Sequence, residues 1–274
     1  LGGAGLLAAF PKAYAVILSA LYLPVLLMVM ALVFRGVAFE FRFKAHRSRR
    51  LWSNAFAAGS ILATFAQGVI LGALVQGLPI ENDRYVGGIW GWFSPFAMLT
   101  GAALVAGYAL LGSTWLILKT DGHVQQLARQ LSRPLALTVL VFIGLVSAWL
   151  PSLQSHVMER WFEGAHYLWL MPIPVLVAVV GVALWRATDA GQPDTPPFLL
   201  AMALFVLGFL GLVLGMWPYL VPPVYTIWQA AAPPSSQLFA LVGLVLLLPL
   251  ILGYTVWSYR VFRGKITAET GYHH

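Results

Sequence analysis

Few residues in this chain could move a proton or hold a cofactor. Glu40 is the only acid in the first 80 residues, and it stands among six basic ones, Arg35, Arg42, Lys44, Arg47, Arg49 and Arg50. A carboxylate beside arginines, at the mouth of an apolar run, can take protons from water and pass them inward. The plainer reading is an ion pair of Glu40 with Lys44 one helical turn on, within a cationic anchor. Gln67 and Gln76 lie within or at the end of an apolar run. An amide in such surroundings seeks a partner on another helix; contact with a quinone carbonyl or a water chain is the alternative. The six histidines, His46, His123, His156, His166, His273 and His274, show no i, i+4 pair that could grip a metal from one helix. Only His166 touches an apolar run, so it alone could be a histidine ligand to haem, which calls for axial ligands inside a bundle. There are no cysteines, hence no thiolate site and no disulfide. The sequence predicts no metal site and no catalytic residue, and it carries no phosphate-binding loop, nucleophile elbow or dinucleotide fingerprint.

The elements that must position these groups are membrane spans. Of the 274 residues, 60% are hydrophobic and 9% charged, against roughly a quarter charged in an average soluble domain. Seven apolar runs are long enough to cross a bilayer, at about 13–34, 54–76, 95–118, 134–150, 165–185, 197–217 and 237–259. None contains Lys, Arg, Asp or Glu, each of which costs about 2.5–3.5 kcal/mol at a helix centre. The predicted fold class is all-α, a polytopic transmembrane helix bundle forming one integral membrane domain over 1–274. Pro24, Pro172, Pro174 and Pro249 lie inside runs and predict bends.

If the runs alternate in direction, 13 of the 16 basic residues fall on one side and only Lys12, Arg84 and Arg160 on the other. The basic side therefore faces the cytoplasm. This accounts for the net charge of +7 without nucleic acid. Trp52, Trp90, Trp92, Trp149, Trp161, Trp217 and Trp257 near run ends form the expected aromatic belts. Gly68-x-x-x-Gly72 and Gly211-x-x-x-Gly215 permit close helix approach. The outer connection 218–236 has no charge and five prolines, which suggests a structured cap. The opening Leu1-Gly2-Gly3-Ala4-Gly5 lacks the basic start of a secretory signal and reads as the interior of a longer chain.

Local sequences go further. Leu1–Ala15 (LGGAGLLAAFPKAYA), Phe34–Arg42 (FRGVAFEFR), Phe65–Val69 (FAQGV), Val75–Gly77 (VQG), Gly107–Leu116 (GYALLGSTWL) and Tyr259–Lys265 (YRVFRGK) resemble subunit II of cytochrome bd-type quinol oxidases, including the cyanide-insensitive members. The resemblance implies eight spans in a full chain, with one preceding Leu1, and a place in the bacterial cytoplasmic (inner) membrane. It implies a heterodimer with a haem-bearing subunit I, which would hold haem b and haem d and the quinol-oxidising loop. Subunit II would scaffold that partner, help route cytoplasmic protons and, in some members, hold a structural quinone. By position, Arg35 and Glu40 match an Arg and an acid at the family's cytoplasmic proton entrance. Glu stands here where some relatives have Asp, and Gly36 where some have Pro. The partners implied are subunit I, membrane lipid and quinol or quinone. A secondary transporter and a purely structural scaffold are the alternatives, but no charged residue falls at the midplane and no internal repeat appears.

Overall fold

The computed structural model describes residues 2–45, 47–154, 157–158, 170–189, 191–262 and 264–265. Helices dominate: α1 (Gly2–Ala9), α2 (Pro11–Lys44), α3 (Arg49–Gln76), α4 (Pro95–Lys119), α5 (Gly122–Leu153), α6 (Pro172–Ala187), α7 (Thr195–Met216), α8 (Ile227–Ala230) and α9 (Pro234–Val261). Two small antiparallel ribbons, β1 (Ile80–Glu81) with β2 (Arg84–Tyr85) and β3 (Tyr219–Val221) with β4 (Tyr225–Thr226), occupy two connections. Among the described residues, six helices (α2, α3, α4, α5, α7 and α9) are long and apolar enough to cross a membrane. Helix α6, with 16 described residues, extends about 24 Å at 1.5 Å per residue. The start of the run expected at 165–185, including His166, lies outside the described residues, as do His46, His156, Arg160 and Arg263.

Two helices run well past their apolar runs. Helix α2 continues through Lys44 because Arg35–Lys44, though polar, is free of Pro and carries its basic residues in the last turn, where they complement the helix dipole. Helix α5 begins at Gly122, so the polar stretch before Pro134 is its cytoplasmic end. The prolines act unequally. Leu21, three residues before Pro24, leaves helical geometry (φ −114°, ψ 16°), because proline's ring and missing N–H disturb the preceding turn. Pro172 opens α6 at its first position, where no intrahelical partner is lost, directly after a turn at Met171. Helix α9 runs on through Pro249.

Sequential helices pack as antiparallel neighbours. One core lies between α2, α3 and the outer connections, around Leu21, Val69, Ala73, Ala97, Val221 and Tyr225. A second lies between α4, α5, α6 and α7, around Leu110, Ala136, Val139, Leu184, Ala201 and Leu204. Small residues set the spacing. Ala31 and Ala38, two turns apart on α2, are buried, and a Cβ on Gly59 of α3 would stand 2.9 Å from the Ala31 carbonyl oxygen. Between α4 and α5 the buried Ser132 and Ser113 hydroxyls are 2.8 Å apart.

The expected outer cap is present. The β1–β2 turn places Asn82 and Asp83 at positive φ (48° and 61°), the two-residue geometry that matches strand twist. In the last outer connection Thr226 and Gln229 form a capping box on α8. The Ala232 amide donates to the Ala9 carbonyl at 2.8 Å, joining the cap to α1. Helix α9 has no buried residue and is held chiefly at its two ends.

Candidate functional site

Polar side chains gather at the two ends of the bundle, and each pairing respects the alternation read from the positive charges. On the outer side Lys12 approaches Asp83 at 3.7 Å, and the Tyr225 hydroxyl donates to the same carboxylate. That hydrogen bond, then the Lys12 charge, hold the Asp83 carboxyl below its ordinary range. Burial, followed by the Asp83 hydrogen bond, pushes the Tyr225 phenol up to about 12. Nearby, Ser94 donates to the Gln76 amide oxygen at 2.5 Å, and the buried Gln154 donates to the Gln76 carbonyl at 2.5 Å. The Gln76 side chain therefore joins the end of α3 to Ser94, the cap of α4.

On the cytoplasmic side three connections converge on Arg129. Its guanidinium donates to the carbonyl oxygens of Asp189 (2.9 Å) and Gln192 (2.8 Å) and to the Asp194 carboxylate (2.6 Å). Lys265 bridges Asp194 and Asp121, both at 2.6 Å, and Arg133 pairs with Asp189 at 2.6 Å. Lys119 donates to the carbonyl oxygens of Phe262 (2.8 Å) and Gly264 (3.3 Å). Burial pushes the Asp194 carboxyl up, but the hydrogen bonds from Lys265 and Arg129 outweigh it and hold the group below its ordinary value. These charges gather at one end of the bundle, as the alternation of spans requires, and their pairings are not visible in the sequence because the partners lie far apart in the chain.

Arg35 and Glu40 lie on the cytoplasmic extension of α2, and both are exposed. The Lys12 to Glu40 interval of 28 residues corresponds to about 42 Å of helix, comparable to a bilayer with its headgroups. Glu40 and Lys12 therefore stand at opposite polar boundaries of the bundle, the inner and outer ones in the reading from positive charges. The Arg35 guanidinium lies over the Phe56 ring of α3, 5.4 Å from its centroid. Phe41 stacks on Trp52 at 4.8 Å, and Phe39 approaches Phe56 at 6.3 Å, so Glu40 sits in an aromatic girdle between α2 and α3. One expectation fails here. Among the described residues Glu40 makes no ion pair with Lys44, and it does not meet Arg35. Five positions of α-helix turn the two side chains about 140° apart, and exposed long side chains lose more rotamer freedom in pairing than they gain in water.

Gln67 and Tyr108, both exposed, meet between α3 and α4, the Tyr108 hydroxyl donating to the Gln67 amide oxygen at 3.3 Å. The Gln67 amide nitrogen has no hydrogen-bond partner among the described residues, so it could donate to a carbonyl brought by a quinone or by another chain. Sequence reading singled out Gln67 but gave Tyr108 no polar role; a tyrosine in an aromatic-rich run gives no local sign of its partner 41 residues away. For haem the described residues are a poor fit. The one described histidine, His123, is exposed in the first turn of α5, and no group of three or more His, Asp or Glu among the described residues could hold a metal ion. The buried interior is lined mainly by Ala, Leu, Val and Gly.

This arrangement defines an integral membrane protein, an all-α bundle whose ionisable groups sit at its two polar boundaries. Residues 1–262 match the family model described as cytochrome bd terminal oxidase subunit II, and the chain belongs to that family. It is 29% identical to cytochrome bd-I ubiquinol oxidase subunit 2 of Escherichia coli K12, over 97% of this chain and 80% of the relative. It is 27% identical to cytochrome bd ubiquinol oxidase subunit 2 of Bacillus subtilis 168, over 97% of this chain and 79% of that one. The bd oxidase structure from Geobacillus thermodenitrificans shares the fold, with a TM-score of 0.71 at 17% identity over 89% of this chain and 74% of that chain.

Proposed function

We propose that this chain is the non-haem subunit of a bd-type quinol:O2 oxidoreductase, that it packs against a haem-bearing subunit I, and that the cytoplasmic end of α2 gives protons access to the complex. The family match over 1–262 carries the first part of this reading. The poor fit of the described residues to haem supports placing haem b and haem d in the partner. Exposed Gln67 and Tyr108 in otherwise apolar stretches of α3 and α4 support a protein or quinone covering that face, since uncovered polar groups in hydrocarbon are unfavourable.

For proton access the supporting observation is position. Glu40 is the sole acid of α2, exposed at the inner boundary and flanked by Phe39 and Phe41. Packing of a partner over these rings would lower the local dielectric around the carboxylate and make its charge sensitive to neighbours. Arg35, one and a half turns deeper and held over Phe56, would supply a fixed positive charge along the inward route. Gln76 is assigned to structure, and Gln67 keeps a donor for a partner or quinone carbonyl.

The test is Glu40→Gln in the assembled oxidase. Quinol-dependent O2 consumption should fall several-fold while subunit stoichiometry and haem spectrum stay unchanged, and Glu40→Asp should recover most of the rate. Full turnover in the Gln variant would remove Glu40 from the proton route.

A further inference from the structure

The cytoplasmic surface is divided. Around α4–α7 and the C-terminal segment three cations, Arg129, Arg133 and Lys265, are neutralised by Asp121, Asp189 and Asp194, and the other described ones, Lys119, Arg186 and Arg260, are spread over three helix ends. At the α2–α3 connection the cations are not neutralised. Arg42, Lys44, Arg47, Arg49 and Arg50 are all exposed, and none makes an ion pair among the described residues. Glu40 is the only acid on either helix.

We infer that the α2–α3 turn, through these five cations, binds the headgroups of anionic glycerophospholipids in the inner leaflet. The level of the cations favours lipid over an acidic protein. Only residues 45–48 separate the two helices, so every one of these charges lies within about three turns of the stacked Phe41–Trp52 pair. Aromatic pairs of this kind mark the headgroup region. Phe43 and Leu51, 67% and 65% exposed beside the cations, suit the same boundary. There the apolar atoms meet acyl chains while the charged heads meet phosphate. A basic residue at that level is worth roughly a fivefold gain in association with an anionic lipid, and the attraction is screened by salt. The inference rests on the membrane topology and not on the proton route.

The experiment places the protein, with whatever subunits accompany it, in phosphatidylcholine bilayers containing spin-labelled phosphatidylglycerol or spin-labelled phosphatidylcholine. The motionally restricted fraction is read by electron spin resonance. Phosphatidylglycerol should be favoured at least roughly fivefold. The preference should shrink at high salt and fall close to phosphatidylcholine in the R47Q/R49Q/R50Q variant, with helical circular dichroism unchanged. Equal association of the two lipids with the unaltered protein would overturn the inference. So would an undiminished preference in the triple variant. If that variant keeps the preference but loses a copurifying subunit, the patch is a protein contact instead. If R186Q alone abolishes the preference while the triple variant does not, the lipid site belongs to the end of α6.

Discussion

Gly68→Val is expected to leave little folded protein in detergent extracts. A Cβ at Gly68 would lie 2.6 Å from the Thr100 carbonyl oxygen, 2.8 Å from Gly101 Cα and 2.9 Å from Leu104 Cβ. These are backbone and branch-point atoms of α4, which cannot swing aside as the tip of a long side chain can. One turn on, a Cβ at Gly72 would collide with the Thr100 hydroxyl and approach Ala97 Cα to 2.8 Å. The Thr100 hydroxyl itself lies 2.9 Å from the Gly68 carbonyl oxygen and 2.8 Å from that of Ala97. Widening the seam would therefore cost both close packing and this polar link. Overpacking of this kind costs about 3 kcal/mol or more, a large share of the roughly 5–15 kcal/mol that holds a domain together. The check is the monodisperse fraction by size exclusion, with the melting temperature of whatever survives. Gly211→Ala is the contrasting substitution. Its added Cβ meets only Ile173 Cγ2 at 3.6 Å, an ordinary contact, and stability should stay within about 0.5 kcal/mol. Comparable loss in both variants would show that the α3–α4 seam is not the tight one.

The contrast between those two glycine pairs marks how far the sequence was legible. Gly68-x-x-x-Gly72 and Gly211-x-x-x-Gly215 are the same pattern, and each allows close approach. Among the described residues only the first is closely faced, by α4, because what meets a glycine is decided by how the helices pack and not by the pattern itself. Apolar runs and charge asymmetry were readable, since lipid acts on every residue of a span alike and needs no knowledge of neighbours. Helix ends were less so. Hydropathy drops at Arg35 and before Pro134, but hydrogen bonding along the backbone does not, so α2 and α5 continue as helices through polar sequence. Glu40 stands out in the sequence as the one acid of its region, but its pairing does not follow from spacing. Sequence spacing offers Lys44 as a neighbour on the same face, whereas the structure leaves both side chains to the surroundings. The outer and inner clasps were invisible because Asp83 and Tyr225 are 142 residues apart, and Arg129 and Asp194 are 65 apart.

The inner clasp carries the second large effect. Arg129→Ala is expected to lower stability by about 3 kcal/mol and to open the α6–α7 connection to protease. The Arg129 side chain is only 12% exposed and the Asp194 side chain 29%, so this is not a solvated surface pair of the kind that contributes little. Truncation removes the fork that holds the Asp189 and Gln192 carbonyl oxygens and leaves a partly buried carboxylate with only Lys265 and the Gln125 side chain. Lys in place of Arg should restore less than half of the loss, since one ammonium cannot reproduce the planar set of donors. The pH dependence separates this account from simple loss of packing. The Asp194 carboxyl is held below its unfolded value, so its stabilisation is fully present above that value, 3.8, and disappears as pH falls through the lower folded value. Lys265 is raised above 10.5, first by its hydrogen bond to Asp121 and then by Asp194; its contribution is fully present below 10.5 and fades as pH rises through the higher folded value. In the unaltered protein the melting temperature should therefore lack a transition from this clasp between pH 5 and pH 9. In Arg129→Ala burial acts on Asp194 with one fewer donor to oppose it, so acid weakening should begin at higher pH. Identical acid limbs in the two proteins would show that Arg129 does not govern the ionisation of Asp194.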